Sequence, residues 1–151
     1  MARTKKIEKL KTVVIDASVV ARWYLNEEWT ENALDLRTDY QNRKLKLIAP
    51  YLIYYEVGNA LRFSENLTQA DIIDALRSLL KTQMTLIYFK GELIDKMTEI
   101  AFLNNITIYD SCYCAIAEVY GYKLITGDEN LKKKVNKPYF FSLKDYKFIK
   151  L

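Results

Sequence analysis

Four acidic residues of this 151-residue chain stand where a carboxylate needs a reason. Asp16 directly follows the apolar run Val13-Val-Ile15, and Asp128 follows Leu124-Ile-Thr126 and Gly127. Asp110 opens the segment Asp-Ser-Cys-Tyr-Cys-Ala-Ile-Ala117. Glu56 lies in Tyr51-Leu-Ile-Tyr-Tyr-Glu-Val-Gly-Asn-Ala-Leu61, inside the arc that Ile53, Val57, Ala60 and Leu61 mark as a core face at helical spacing. A carboxylate in such an arc is costly unless it is paired or binds a cation. Taken singly, each has an ordinary alternative. Asp16, Asp110 and Asp128 suit helix caps or turns, and Glu56 suits the exposed edge of its stripe. Taken together, clustered carboxylates repel one another unless a cation neutralises them. Oxygen-only ligands favour hard ions such as Mg²⁺ or Mn²⁺, and an ion of that kind activates water.

Composition narrows the chemistry further. The chain has no histidine, which excludes Ser-His-Asp and Cys-His nucleophilic sites, imidazole bases and zinc sites built on imidazole. Two cysteines, Cys112 and Cys114, cannot form a Cys-rich metal site, and two apart on a helix they point away from each other. A reduced, cytoplasmic protein is expected. Half of the residues are apolar, enough for a sizeable core in one domain spanning residues 1–151. No run approaches a membrane span, and the basic N-terminus has no apolar signal core. The net charge of +4 is mild but unevenly spread. Arg3, Lys5, Lys6, Lys9 and Lys11 make residues 1–11 a basic extension, and Lys132, Lys133, Lys134 and Lys137 form a second cluster. Such clusters serve either as solvated faces or as phosphate contacts.

The elements that must position the acids alternate between strand and helix. Strands are expected at Thr12–Asp16, Lys46–Ala49, Met84–Phe89, Tyr122–Thr126 and Tyr139–Ser142. Helical segments are expected at Ser18–Tyr24, Glu28–Arg43, from Pro50 as first residue to about Phe63, from Thr68 onward, at Glu92–Leu103, at Asp110–Tyr120 and at Asp128–Val135. Thr68 with Asp71 reads as a capping box, ahead of the stripe Ile72, Ile73, Leu76, Leu79 and Leu80. Glu92–Leu103 carries its own face of Leu93, Ile94, Met97, Ile100 and Ala101. This alternation implies an α/β domain with a mainly parallel central sheet. In such sheets ligands bind beyond the carboxyl ends of the strands, where Asp16 and Asp128 fall.

Four segments in order resemble the motifs of the PIN domain, and more narrowly the VapC toxins of toxin–antitoxin modules. Val14-Ile-Asp-Ala-Ser-Val-Val-Ala-Arg-Trp23 resembles the first, with its acid on Asp16 and its hydroxyl on Ser18. Pro50–Leu61 resembles the second, with Glu56 and Asn59; Tyr109–Glu118 the third, with Asp110; Leu124–Leu131 the fourth, with Asp128 and Thr126. The resemblance runs from about Thr12 to Phe141 and implies a three-layer α/β/α domain. It also implies Mg²⁺- or Mn²⁺-dependent cleavage of RNA phosphodiester bonds, with Asp16, Glu56, Asp110 and Asp128 as catalytic metal ligands. Ser18, Asn59 and Thr126 would orient those ligands or their waters. A homodimer and a blocking antitoxin partner are implied as well. Whether Glu129 joins the set stays open. The competing readings are a PIN nuclease of RNA processing or DNA repair, and a binding module that keeps the fold without turnover. A phosphoacceptor receiver domain fits poorly, because Asp16 is followed by Ala17 and Ser18 rather than by a second acid.

Overall fold

The apolar runs pair side by side into one five-stranded sheet, in a computed structural model that describes residues 10–151. Most of the basic extension falls outside the described residues; Lys11 already belongs to the first strand. In chain order the elements are β1 (Lys11–Ile15), α1 (Ala17–Ala21), α2 (Thr30–Gln41), β2 (Leu45–Pro50), α3 (Leu52–Arg62), α4 (Gln69–Lys81) and β3 (Thr85–Ile87). They continue with α5 (Gly91–Asn104), α6 (Ile108–Tyr120), β4 (Lys123–Thr126), α7 (Glu129–Lys134), β5 (Phe140–Ser142) and a 3₁₀ helix at Leu143–Phe148.

The strand order is β3-β2-β1-β4-β5, and every pairing is parallel. The chain therefore builds outward from β1 to β3, crosses back, and continues on the other side of β1 with β4 and β5. Parallel crossovers are right-handed, so this reversal puts α5 and α6 on the face opposite α1 to α4, giving three layers. The reversal point lies between β1 and β4, where diverging connections leave a crevice at the carboxyl ends.

The central strands are buried on both faces, which is why they read as unbroken apolar runs rather than alternating ones. Val13, Val14, Ile15, Leu124 and Ile125 are all at most 1% exposed. Helix α6 covers β1, β2 and β4 with Tyr113, Cys114, Ala115, Ile116 and Ala117, all buried. The small side chains at Ser111, Ala115 and Ala117 let it approach the sheet closely. Helix α4 starts on the capping box expected of it: the Asp71 amide donates to Thr68 Oγ1, and Asp71 Oδ2 accepts from the Thr68 amide at 2.8 Å.

Several expectations are corrected. Pro50 ends β2, paired with Ile87, instead of opening α3. A proline tolerates a strand end because it has no N–H to contribute, and the next amide, Tyr51, donates to the Ile87 carbonyl at 3.2 Å. Ala60 is exposed, so the core face of α3 is Ile53, Val57 and Leu61. In α4, Ile73 and Leu80 are exposed while Ala75 and Leu79 are buried. Ile94 of α5 is likewise exposed. The 3₁₀ helix at Leu143–Phe148 carries no periodic signal; α2 holds it, through the Tyr146 hydroxyl donating to Asp39 at 2.7 Å and the Asn32 amide donating to the Leu143 carbonyl at 3.0 Å.

These contacts rank two substitutions. Leu124→Ala, at a fully buried position of β4, is expected to cost about 3 kcal/mol of unfolding free energy, and Thr68→Ala only about 1 kcal/mol through the lost cap. Urea denaturation of both variants measures the difference.

Candidate active site

At the end of β1 the backbone must turn into α1, and Asp16 makes that turn. Its Oδ1 accepts from the Ala17 amide at 2.9 Å, so it is itself the N-cap of α1. Its Oδ2 faces β4 instead, accepting from the hydroxyls of Ser18 at 2.6 Å and Thr126 at 2.8 Å. The Asp16 amide meanwhile donates to the Ile125 carbonyl at 3.1 Å. The network continues into the loop after β4. Ser18 Oγ accepts from the Gly127 amide at 2.8 Å, and Thr126 Oγ1 accepts from the Asp128 amide at 3.0 Å. Asp128 then caps α7, its Oδ1 accepting from the Leu131 amide at 3.0 Å.

The other two acids arrive on helices from opposite faces of the sheet. Asp110 does not open α6. Thr107 is the N-cap, and Asp110 sits in the first turn with its amide donating to Thr107 Oγ1 at 3.0 Å. Glu56 is half-buried on α3, where Oε1 accepts from the buried Tyr113 hydroxyl at 2.8 Å.

Burial and neighbouring acids raise three of these carboxylates. Burial pushes Asp16 above the ordinary aspartate range, against the hydroxyls of Ser18 and Thr126, and the charge of Asp110 raises it further. Burial also pushes Glu56 up to about 7, against the opposing hydrogen bond from Tyr113 and with added repulsion from Asp16 and Asp110. Asp110 is raised by burial and by the charge of Asp128. Asp16, Glu56 and Asp110 thus each feel at least one other acid. Among the described residues, no three acidic or thiol side chains already stand close enough to hold a metal ion. The arrangement is a loose acidic cluster, not a closed cage. Asp110 and Asp128 open onto a depression of about 360 Å³, and a larger cavity of about 760 Å³ near the amino end of β1 holds neither.

The family model of the PIN domain matches residues 13–137, a span containing all four acids and the whole hydroxyl network. The chain belongs to the PIN-domain family. Ribonuclease VapC3 of Pyrobaculum aerophilum is 31% identical to it over 128 residues, covering 81% of this chain and 93% of that protein. Exonuclease VapC9 of the same organism is 33% identical over 89 residues, covering 59% and 67%. Among solved structures, a toxin–antitoxin complex from Klebsiella pneumoniae shares the fold with a TM-score of 0.64 at 12% identity, covering 87% of this chain and 97% of that one.

Within this PIN domain the remaining expected residues divide. Ser18 and Thr126 grip Asp16 directly. Asn59 is exposed and makes no side-chain hydrogen bond among the described residues; Tyr113 holds Glu56 in its place. Glu129 turns away from the cluster, accepting from the Ser142 hydroxyl and pairing with Lys144 at 3.3 Å. Burial alone would raise its carboxyl, but those two contacts outweigh it and leave it below the ordinary range. Cys112 and Cys114 are free thiols pushed up by burial to about 11 and about 12, so neither is a nucleophile near neutral pH.

Two residues escaped notice in the sequence. Tyr113 carried one signal, a phenol three positions after Asp110 within the small and apolar run Ser111–Ala117. Arg22 carried none. Its guanidinium donates to the Ser18 carbonyl at 2.6 Å and the Glu28 carbonyl at 2.8 Å, and lies against Gly127, where a Cβ would collide with it. It braces the turn after β1 against the loop after β4.

The raised carboxyls give a sign to the pH dependence. Folded Glu56 holds its proton to about 7, whereas the unfolded group releases it near 4.5. Stability from this group is therefore full below about 4.5 and is lost as pH rises through about 7. Raised Asp16 and Asp110 act in the same direction. Metal-free protein is expected to melt at a lower temperature at pH 8 than at pH 5, and Glu56→Gln to flatten that fall. Calorimetry in chelator across this range checks both, and a flat wild-type profile would contradict the burial of this charge.

Proposed function

We propose that this PIN domain is a metal-dependent endoribonuclease, the toxin of a toxin–antitoxin pair, with Asp16, Glu56, Asp110 and Asp128 as the ligands of its ion. The observation that carries the reading is the convergence of four carboxylates at the β1–β4 switch point, three of them with raised proton affinity. A desolvated site with surplus negative charge and only oxygen donors suits Mg²⁺ or Mn²⁺. The fit is one of donor chemistry: Glu56 Oε2 and Asp128 Oδ2 accept no hydrogen bond among the described residues, so both remain available. When bound, such an ion would lower the pKa of a water and stabilise charge on the phosphate.

The chain's own residues do the positioning. Ser18 and Thr126 fix Asp16, Tyr113 fixes Glu56, and Arg22 holds the two loops that carry Asp16 and Asp128 in register. Because water is the nucleophile, the ribose 2′-OH is not needed, and the choice of RNA is supported by the relative named as a ribonuclease. The toxin reading is supported by the VapC relatives and by the structural neighbour solved as a toxin–antitoxin complex. An antitoxin and a second copy of the chain would both need apolar surface to cover, and Tyr55, Phe63, Phe102 and Leu103 are each at least 75% exposed. Two free thiols suit the reducing cytoplasm, and no helix among the described residues is long and apolar enough to cross a membrane. The relative named as an exonuclease supports a second reading, trimming from RNA ends.

Purified protein is expected to cut both linear and circularised structured RNA with Mn²⁺ or Mg²⁺, and neither in chelator. Asp110→Asn should abolish the cuts while remaining folded, and should lose the rise in melting temperature that Mn²⁺ gives the wild type. Cutting of the linear form alone would favour the exonuclease. Absence of any Mn²⁺ effect on melting would sink the proposed site.

A further inference from the structure

Lys134 closes α7 and lines the depression of about 360 Å³ together with Asp110, Asp128 and the amides of Asn105 and Asn130. Its charge reaches Asp110, where it opposes the rise caused by burial and by Asp128. Yet no carboxylate among the described residues lies within ion-pair distance of it; the ion pairs there engage Arg22, Lys44, Lys96, Lys144 and Lys147. Its neighbour Lys132 lies over the Phe140 ring at 5.9 Å and does not line this depression. Helix α7 holds the position of Lys134: Asp128 caps the helix, Leu131 is buried beneath it, and the Val135 amide donates to the Leu131 carbonyl at 2.9 Å. Asn105 is set on the rim by its left-handed backbone at the end of α5, with φ of 51°.

An acidic cluster repels the polyanion it would act on, so a cation fixed beside it is needed to admit a phosphate. Lysine does this as a compact charge with three donors. We infer that Lys134 is a substrate-binding residue whose ammonium contacts a backbone phosphate of single-stranded RNA flanking the scissile one, with Asn105 and Asn130 beside the same nucleotide. The phosphate is a flanking one because Asp16 and Glu56 do not line this depression, which lies to one side of the centre. The inference rests on the ribonuclease reading and adds to it where the strand enters.

The test is binding of a fluorescent, unstructured oligoribonucleotide in chelator, where cleavage cannot intervene, between about 50 and 200 mM salt. Lys134→Ala is expected to weaken binding about tenfold, and to lower the slope of log affinity against log salt by about 0.7, the contribution of one phosphate in a single strand. Lys134→Arg should retain both values, and Lys133→Ala, from the same basic run, should behave as wild type. With Mn²⁺ present and turnover measured, Lys134→Ala should raise KM and leave kcat nearly unchanged. Three results overturn the inference: unchanged affinity and slope in Lys134→Ala; an equal loss in Lys133→Ala, which means an undirected basic surface; or tighter Mn²⁺ binding in Lys134→Ala with RNA binding unaltered, which means that Lys134 only offsets the carboxylates. Wild type that binds through Lys134 but never cuts with Mn²⁺ would sink the ribonuclease reading and leave this contact standing. Wild type that cuts, with Lys134→Ala unaltered, would sink this inference alone.

Discussion

Asp16 is a carboxylate with 6% of its surface exposed at the end of a strand buried on both faces, and the rest of the site is arranged around the cost of keeping it there. A buried charge must be matched by donors or by a cation. Three donors meet Asp16, and they come from two places: the Ala17 amide and Ser18 hydroxyl from its own turn, and the Thr126 hydroxyl from the end of β4. Because Thr126 and Ser18 are in turn held by the amides of Asp128 and Gly127, the same few bonds that satisfy Asp16 also set the loop that presents Asp128. The β1–β4 pairing, the reversal of chain direction and the geometry of the acidic cluster are consequences of one another.

The cluster stays short of positive charge. Tyr113 gives Glu56 a neutral donor, and Lys134 tempers Asp110 from a distance. Arg22, a partly buried guanidinium close by, spends its donors on the carbonyls of Ser18 and Glu28 and pairs with the more exposed Glu27 at 3.7 Å. Glu129, the acid next in sequence to Asp128, is drawn off by Ser142 and Lys144. The protein thus keeps three carboxylates, Asp16, Glu56 and Asp110, under-compensated while pairing Glu129, which would otherwise add to them. Such an arrangement lowers stability in the absence of an ion and gives an ion something to neutralise. The surrounding core, with α6 packed across three strands, supplies the stability that tolerates it.

The parallel sheet, its strands, the α4 capping box and the four acids, two directly beyond strand ends and two on helices, were all legible in the sequence. These features are local: apolar runs bounded by turns, a Thr–Asp pair at capping distance, an acid directly after a strand. The misplaced boundaries were local competitions. Pro50 suits a helix start and a strand end equally well, and only its pairing with Ile87 decides between them. Asp110 and Thr107 are both good caps, and the helix took the earlier one.

What tertiary structure alone decided is which side chains meet across long stretches of sequence. Asp16 and Thr126 are joined over 110 positions, and Glu56 and Tyr113 over 57. No periodicity predicts such partners, because hydrogen bonding depends on where elements pack and not on how each one forms. Asn59, one turn from Glu56, was the nearer candidate by sequence, but its side of α3 faces solvent. Arg22 and Gly127 are likewise brought into contact only by the strand order. The sequence by itself determined the chemistry available, oxygen donors without imidazole, and the two strand ends that carry Asp16 and Asp128. The packing of α3 against β2 and α1, and of α6 across β1, β2 and β4, decided how those carboxylates share one site, because their mutual repulsion depends on distance, and distance is a property of the folded chain.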